Sequence, residues 1–392
     1  MILIVLAFLG ILTFYSATNY YMGNKLFIWL QLLLPNINGL LFWGIYIFCA
    51  ITPLLAVLLS NYRVTGSLST ITSFIGRLGD HWMGIYFYLL LITIIVDFIL
   101  LAGRLFNIIP TPLNGNIHFL SGLIIVLAVF GLCSYGHYHA NQIKNVSYDI
   151  QIPKEMVNDN LRIIMLSDLH LGYTNDVAYL EKIVDKINDM EPDIVCIVGD
   201  IFNGSYYALV DAEKAEGLMR GIQSTYGVYA SLGNHDAGST YNEMIAFLEN
   251  SEITLLNDEN TIIADQIVLV GRKDSSPIGE QGEERTNIAD QLAQIQFDLP
   301  IIVMDHQPSN ISEYGENVDL ILSGHTHQGQ VFPANLITNA IFEIDYGHYQ
   351  KNQDSPQVIV SSGIGTWGPP MRIGTDSEIV EILINPLSSA VD

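Results

Sequence analysis

The pattern of hydrophobic and polar residues divides the chain into two parts. Before about residue 136, long apolar runs are separated by short polar stretches, and after about residue 160, short apolar runs alternate with amphipathic segments. A helix needs ~20 apolar residues to cross a bilayer, and the runs of the first part approach or reach that length. The pattern therefore predicts about four transmembrane helices, with three or five as alternatives. The predicted spans are residues 1–18, 39–59, 83–102 and 117–136.

The second part has the pattern of an α/β domain. In residues 177–190, apolar residues recur every three or four positions, as they do on one face of a helix. Short apolar runs of strand length precede and follow this segment, and such alternation is typical of layered α/β domains. We therefore divide the chain into a helical membrane region (1–144), a polar connector (145–160) and a globular domain (161–392). Strands are predicted at residues 161–167, 193–198, 227–232, 253–256, 267–271, 300–304, 318–323, 358–361 and 378–384.

The charged residues follow the same division. Residues 1–144 contain 2 of the 40 acidic residues and 5 of the 16 Lys and Arg residues, so the remainder is strongly acidic. An acidic domain is not expected to bind the nucleic-acid backbone, which requires a basic surface. Cys49, Cys133 and Cys196 lie in apolar stretches without Cys-x-x-Cys spacing. A disulfide framework or a thiolate metal site is therefore not expected.

The distribution of basic residues predicts the orientation of the membrane region. Four spans place the N-terminus and the globular domain on one side, which carries more basic residues than the other side. Because basic residues are more frequent in cytoplasmic segments, the domain is predicted to be cytoplasmic. One span more or fewer would reverse this prediction. The residues are Arg63, Arg77, Lys144 and Lys154 on the domain side, and Lys25 and Arg104 on the other.

Asp97 lies inside the third predicted span. An ionisable residue within a span is energetically costly and often functional. The alternative is that Asp97 pairs with a polar group on a neighbouring helix. If Asp97 is functional, the helices could form a transporter or sensor that the globular domain regulates.

Five predicted strands end in residues that can bind metal ions. In α/β sheets, ligands bind beyond the carboxyl ends of the strands. Asp-x-His and His-x-His spacing on extended backbone points alternate side chains to the same side, so we expect each pair to reach one point. Carboxylates, imidazoles and one amide, without thiolates, suit Mn, Fe or Zn. The strand ends supply Asp168, His170, Asp200, Asn234, His235, His306, His325 and His327.

These motifs resemble those of the calcineurin-like metallophosphoesterases, and more closely the membrane-associated bacterial branch. The resemblance covers about residues 160–385. It implies a four-layer α/β/β/α sandwich with two divalent metal ions at its edge, preceded by a transmembrane region of about four helices. The motifs are Asp168-x-His170, Gly199-Asp200, Gly233-Asn234-His235-Asp236, His306 and Gly324-His325-Thr326-His327.

The resemblance also implies a role for each residue. Asp200 would bridge two metal ions ~3.5–4 Å apart, and a hydroxide held between them would attack phosphorus. His235 would give a proton to the leaving oxygen, with Asp236 orienting its ring. Arg372 would bind a substrate phosphate, or would form a structural ion pair. The first metal ion would be held by Asp168, His170 and His327, and the second by Asn234, His306 and His325.

Two residues depart from the motifs of the family. Gln328 stands where glycine is frequent, and Asp305 stands where a small residue is usual. Asp305 is expected either to accept a hydrogen bond from a neighbouring histidine or to be a surface acid. Aromatic residues near the strand ends either form an apolar lip for a substrate or pack against their own loops. They are Tyr206, Tyr207, Tyr346, Tyr349 and Trp367.

The sequence thus predicts a membrane-anchored phosphohydrolase with two metal ions. The expected substrate is a phosphodiester or a lipid-linked phosphate or pyrophosphate. The protein-phosphatase branch is disfavoured because residues 199–204 lack the arginine found there. The alternative remains a transporter or sensor with a regulatory metallophosphoesterase-like domain. Neither the oligomeric state nor the native metal is predicted.

Overall fold

The structure is a computed structural model of the 392-residue chain. It describes residues 2–154, 160–276, 278, 283–293, 295 and 298–386, without the side chains of residues 2–4 and 386.

Four long helices form the N-terminal part of the chain. They are α1 (Ile2–Leu33), α2 (Gly39–Leu59), α3 (Ser67–Leu105) and α4 (Gly115–Ala140). The side chains of Asn38 and Asn114 accept backbone hydrogen bonds at the starts of α2 and α4, which satisfies amides that have no partner inside the helix. Within the described residues, α2, α3 and α4 are long and apolar enough to cross a membrane. The first predicted span lies in α1, apart from Met1, which is outside the described residues.

Two six-stranded sheets form the described part of the globular domain. The first sheet has the order β1-β12-β2-β3-β4-β5, and the second has the order β10-β11-β9-β8-β7-β6. The strands are β1 (Ile143–Ile152), β2 (Leu161–Leu166), β3 (Ile194–Val198), β4 (Val228–Ser231), β5 (Thr254–Leu255), β6 (Glu259–Ile263), β7 (Ile267–Gly271), β8 (Ile301–Met304), β9 (Leu320–Ser323), β10 (Gly347–Gln350), β11 (Gln357–Val360) and β12 (Ser377–Pro386).

The two sheets pack face to face, and helices cover their outer faces. Along β2, Ile163 and Met165 point toward the second sheet, whereas Ile164 and Leu166 pack against helices. This follows from the alternation of side chains in a strand. The predicted four-layer sandwich is therefore confirmed. The helices of the domain are α5 (Val177–Asp189), α6 (Ala212–Arg220), α7 (Tyr241–Asn250), α8 (Ile288–Leu292) and α9 (Ala334–Ile341).

Three strands and one helix were not foreseen from the sequence: β1, β6, β10 and α9. Strand β1 contains residues 145–152 of the predicted connector and pairs with β12 in parallel. It lies at the sheet edge, and only Ile150 and Ile152 are buried along it. Its sequence therefore lacks the continuous apolar run of a central strand. Residues 155–159 of the predicted connector lie outside the described residues.

The helices and the globular domain make direct contacts. Arg77 Nε in α3 donates a hydrogen bond to Tyr173 O (2.9 Å), and Thr174 Oγ1 donates to Asp80 Oδ2 (2.6 Å). Strand β1 begins two residues after the C-terminal cap of α4, Asn141. The globular domain therefore lies at one end of the helical bundle, next to the start of α3 and the end of α4.

Candidate metal centre

The loops that follow β2, β3, β4, β8 and β9 meet at one edge of the sandwich. Backbone hydrogen bonds join them: Asp168 N donates to Gly199 O (3.1 Å), His170 N donates to Asp200 O (2.9 Å), and Gly324 N donates to His306 O (2.9 Å). The His325 amide also donates to the Asp168 carboxylate (3.1 Å), which joins residues 157 positions apart in the sequence.

Six of the seven predicted ligands form two compact groups. The ligand atoms of each group lie within 4.8 Å of one another. Five of the six residues are buried, and His325 is half-buried. The first group is Asp168, His170 and His327, and the second is Asp200, His306 and His325.

Asp200 lies between the two groups. Its Oδ2 atom is 3.1 Å from His306 Nε2 in its own group and 3.6 Å from His170 Nε2 in the other. A carboxylate in this position can contact two metal ions at once, which is the role that the family resemblance implies for it.

Asn234 offers a seventh ligand, its side-chain carbonyl oxygen. Its Oδ1 atom is buried and has no hydrogen-bond partner among the described residues, although Asn234 lines the same cavity as Asp200 and His325. A buried carbonyl oxygen without a partner is costly unless something binds it. A metal ion in the second group would satisfy this oxygen.

The ionisation of the imidazoles suits metal binding. Burial lowers the pKa of His170 to about 3 and that of His325 to about 4, so both rings are neutral and carry free lone pairs. His306 Nδ1 lies 2.9 Å from Val198 O, a carbonyl that can only accept, so Nδ1 carries a proton and Nε2 is the atom left to bind a metal ion. Burial lowers the pKa of His306, but the carboxylate of Asp200 raises it well above its usual value. The Asp200 carboxylate therefore favours a positive charge next to Nε2. A divalent cation bound at Nε2 would supply that charge in place of a proton.

The residues present therefore fit two divalent cations. The two groups together offer two carboxylates and four imidazoles, and Asn234 adds one amide oxygen. This set of nitrogen and oxygen donors is typical of Mn, Fe and Zn sites.

The backbone geometry differs from the expectation for this site. We expected Asp-x-His and His-x-His to lie on extended backbone, but Asp168, His170, His325 and His327 have φ angles of 56°, 44°, 70° and 49°. His325 and His327 moreover belong to different groups, so that pair does not reach one point. Left-handed backbone at non-glycine residues costs free energy and is concentrated at functional sites.

Comparison with known proteins gives the family. A family model described as calcineurin-like phosphoesterase matches residues 161–329. An uncharacterized metallophosphoesterase of Campylobacter jejuni is 32% identical over 263 residues, which cover 66% of this chain and 67% of the relative. The chain belongs to the metallophosphoesterase family. It is accordingly a metal-dependent phosphoesterase, and members of the family use two divalent metal ions.

The names of two further relatives mention a membrane location and a pyrophosphatase activity, respectively. A transmembrane protein with metallophosphoesterase domain from Danio rerio is 31% identical over 277 residues, covering 67% of this chain and 61% of the relative. A UDP-2,3-diacylglucosamine pyrophosphatase from Chlamydia muridarum is 23% identical over 291 residues, covering 59% of this chain and 86% of the relative. The transmembrane relative and the three apolar helices support membrane association of this metallophosphoesterase.

Glycines allow the metal-binding loops of this metallophosphoesterase to approach one another. A Cβ atom at Gly233 would overlap Asp200 Oδ1, and one at Gly324 would overlap Asp168 Oδ2. The glycines in Gly-Asn-His-Asp and Gly-His-Thr-His are thus required by the close packing around the two carboxylates.

His235 lies in the cavity beside the metal-binding groups. Its ring centroid is 5.1 Å from that of His170 and 5.6 Å from that of Trp367. Its backbone amide donates to Asp200 Oδ1 (2.8 Å). The side chain belongs to neither metal-binding group, which agrees with the predicted role outside metal coordination.

Asp236 is fully buried, and its carboxylate accepts backbone hydrogen bonds. Oδ2 accepts from Gly233 N (2.9 Å), and Oδ1 accepts from Phe202 N (2.8 Å). These bonds fix the loop of Asn234 against the loop of Asp200. Burial raises the pKa of Asp236 to about 7. The geometry therefore favours a role in holding the two loops over the predicted role in orienting the His235 ring, which stays a prediction.

Arg372 is also fully buried. Its Nη2 atom donates to Gly365 O (2.6 Å) and Gly363 O (2.9 Å), and its Nη1 atom donates to His327 O (3.3 Å). The residues that line the cavity do not include Arg372. These contacts favour a structural role, in which the guanidinium holds His327 in place, over the predicted phosphate contact.

The variant Arg372→Met distinguishes the two roles. We expect the free energy of unfolding to fall by about 3 kcal/mol, because three buried carbonyls lose a charged donor. Thermal unfolding of the purified chain measures this. Arg162→Met is the matched control, since the Arg162 side chain is 41% exposed, and we expect a loss of at most about 1 kcal/mol. A raised KM with unchanged stability of Arg372→Met would instead support phosphate binding.

Asp305 plays neither of its two expected roles. The residue is buried, and its carboxylate accepts hydrogen bonds from Tyr314 Oη (2.5 Å), Asn310 Nδ2 (3.0 Å) and Arg285 Nη1 (3.0 Å). It therefore anchors the segment after β8. Gln328 has a left-handed φ of 50° in the turn beside His327, a conformation in which glycine is unstrained.

The predicted aromatic lip is limited to Trp367. Tyr206 and Tyr207 line a different cavity, next to Arg63. Tyr346 Oη and Tyr349 Oη donate to Glu378 and Glu343. The sequence did not indicate the residues that line the metal cavity on the side of α9. These are Val331, Ala334, Thr338 and Phe342.

Asp97 has partners on a neighbouring helix. Its carboxylate accepts hydrogen bonds from Lys25 and Tyr21 of α1. The ion pair with Lys25 explains how the acidic residue is accommodated in an apolar helix.

Proposed function

We propose that this chain is a multi-pass membrane enzyme that hydrolyses a phosphodiester or a lipid-linked phosphate or pyrophosphate. The two metal-binding groups carry the proposal, because Asp200 of the second group lies 3.6 Å from His170 of the first and both groups contribute residues to one cavity of about 550 Å³. A cavity of that size accommodates a substrate larger than inorganic phosphate.

The reaction transfers a phosphoryl group to water. A water oxygen gives up one proton to solvent and forms a bond to phosphorus while the bond to the leaving oxygen breaks, and His235 gives that leaving oxygen a proton. When bound, two divalent cations lower the pKa of water toward ~7 and neutralise charge on the phosphoryl oxygens. Asp236 and Arg372 keep the loops of Asp200 and His327 in position, and the Trp367 ring lies beside that of His235, with centroids 5.6 Å apart.

A lipid-linked substrate is supported by the site's position beside membrane-spanning helices and by one relative. The Chlamydia muridarum protein is named for a substrate that carries two acyl groups. The alternative of a transporter or sensor has lost its main support, since Asp97 is paired with Lys25.

Hydrolysis of a simple diester tests the enzymatic function. The full chain, purified in detergent and loaded with Mn, is expected to hydrolyse bis-p-nitrophenyl phosphate, and EDTA is expected to abolish the activity because both ligand groups need their cations. The control is the double variant Asp168→Asn with His327→Asn, which removes two ligands of the first group. Absence of hydrolysis with Mn, Fe, Zn and Ni alike would contradict the proposal.

The four helices are proposed to place the globular domain in the cytoplasm. The globular domain lies at the end of the bundle that carries Arg77 and Lys144. Because Lys and Arg are more frequent on the cytoplasmic side of a membrane, this arrangement favours a cytoplasmic domain. Protease treatment of intact cells and of lysed cells tests this orientation. Cleavage of the domain in intact cells would show that it faces outward.

A further inference from the structure

Large apolar side chains are exposed at one place on the globular domain. Among the described residues after Ala140, six large apolar residues are exposed. Of these, Trp367 lines the metal cavity, and four others lie in residues 332–341, a segment whose residues Ala334 and Thr338 line the same cavity. We call these five the apolar ridge: Phe332 (49% exposed), Leu336 (61%), Ile337 (59%), Ile341 (70%) and Trp367 (52%). The sixth, Ile262, lies on the edge strand β6 of the second sheet.

The ridge is built on a segment without charge. Residues 328–342 contain no Asp, Glu, Lys or Arg, although the domain as a whole is strongly acidic. Helix α9 lies within this segment, and none of its residues is buried. An uncharged and exposed apolar surface of this kind is typical of a contact with a membrane or another protein.

The ridge is continuous with the membrane helices. Tyr88 Oη of α3 donates a hydrogen bond to Phe332 O (2.8 Å). Tyr88 lies five residues beyond the start of the apolar run at Met83, which is about 7 Å along the helix axis. Helices that lie in a membrane interface insert their apolar face by ~5–10 Å. Phe332, just before α9, therefore contacts α3 near the start of its apolar run, within the range that such a helix reaches.

A second contact fixes this position. Val331 packs in the same hydrophobic cluster as Met371, Ile373 and Tyr88. A Cβ atom at Gly84 of α3 would overlap the Met371 side chain, so the segment around Met371 lies directly against the helix. A Cβ atom at Gly136 of α4 would likewise overlap Ile373 and Met371, so the segment that packs with Val331 lies against both α3 and α4.

The opposite side of the ridge forms the wall of the metal cavity. Ala334 and Thr338 of α9 line the cavity, and the Trp367 ring lies 5.6 Å from the His235 ring. Gln330 ties the two parts together, since its Nε2 atom donates to Trp367 O (3.0 Å) and Pro369 O (3.0 Å). One structural unit therefore separates the metal cavity from the region beside the membrane helices.

We propose that the apolar ridge inserts into the membrane leaflet and that the substrate is an amphiphilic phosphoester that enters the metal cavity from this leaflet. The phosphoester reaches the metal-binding groups between α9 and Trp367, while the alkyl chains stay among the lipids. Trp367 at the rim has the position that tryptophan favours at membrane interfaces. This inference rests on the proposed phosphohydrolase function and adds the class of substrate and its route.

Insertion is tested by a fluorescent label on the ridge. The full chain is placed in phosphatidylcholine nanodiscs with Cys49 and Cys133 replaced by serine, and Ile337→Cys carries a nitrobenzoxadiazole label. We expect strong quenching by lipids with a nitroxide near the head group and little quenching by aqueous iodide. The same label on Ile262→Cys is the matched control and is expected to show the opposite behaviour. Quenching of the Ile337 label by iodide alone would overturn the insertion, and so would a cross-link from this cysteine to a second copy of the chain.

The substrate class is tested with two diesters that have the same leaving group. Hexadecyl p-nitrophenyl phosphate is presented in vesicles, and ethyl p-nitrophenyl phosphate in solution. The native chain is expected to show at least tenfold higher kcat/KM for the hexadecyl ester. The double variant Leu336→Asn with Ile337→Asn is expected to lose this preference while its rate with the ethyl ester is kept, and Ile262→Asn is expected to keep both.

The two tests separate the inference from the proposed function. If neither ester is hydrolysed, the phosphohydrolase function fails, whether or not the label inserts. If the ethyl ester is hydrolysed and the hexadecyl ester shows no preference in the native chain, the function stands and the inferred substrate class is wrong.

Discussion

The variant Asp200→Asn is expected to lose metal from both positions and to reduce hydrolysis by roughly 10³-fold. The reason is geometric, because Oδ2 of this one residue lies 3.1 Å from His306 Nε2 and 3.6 Å from His170 Nε2. An amide in place of the carboxylate removes a negative charge that two cations would share. Elemental analysis of the purified chain should show fewer than one metal ion per molecule, and bis-p-nitrophenyl phosphate measures the loss of activity.

The matched control for this variant is Asp168→Asn. Asp168 has the same chemistry and the same complete burial, but it belongs to the first group. We expect this control to lose one metal ion and to retain the other. Unchanged metal content of Asp200→Asn, or equal losses in the two variants, would argue against a bridging position for Asp200.

The variant His235→Ala is expected to retain both metal ions and to lose ~10²–10⁴-fold in kcat, the usual cost of removing a general acid. The His235 ring lies beside His170 but is part of neither metal-binding group. Metal analysis and kinetics on the same preparation measure the two properties together. Loss of metal from this variant would show that His235 is a ligand.

The leaving group gives a more specific test of His235. Nitrophenolate leaves readily without a proton, whereas phenolate is more basic and benefits from one. If His235 supplies the proton, the deficit of His235→Ala should be several-fold larger with methyl phenyl phosphate than with methyl p-nitrophenyl phosphate. Equal deficits for the two esters would point to an electrostatic role of the ring instead.

The central strands were predictable because both of their faces are buried. The runs at residues 267–271 and 300–304 correspond to β7 (Ile267–Gly271) and β8 (Ile301–Met304), whose residues are buried throughout. Edge strands need an apolar face on one side only, so β1 and β10 leave a weak pattern. Helix α9 was missed for a related reason, since none of its residues is buried and its apolar face is turned outward.

The identity of the metal-binding residues was predictable from the sequence, but the backbone conformation that brings them together was not. Six predicted ligands form the two groups, yet five of them, all except His306, lie on left-handed backbone and not on extended strands. In the same way, Arg372 and Asp236 were recognised as residues near the site. Their complete burial and their backbone contacts were visible only in the structure.

The sequence by itself determined the two-part organisation, the layered α/β domain and the donor atoms, because these depend on local hydrophobic pattern and residue chemistry. Only the tertiary structure decided how donors on five separate loops come within reach of one another and which residue, Lys25, pairs with Asp97. It also placed α9 and Trp367 between the metal cavity and the membrane helices. These relations join residues far apart in the chain, and they arise from the packing of two sheets and a helical bundle, which no local pattern encodes.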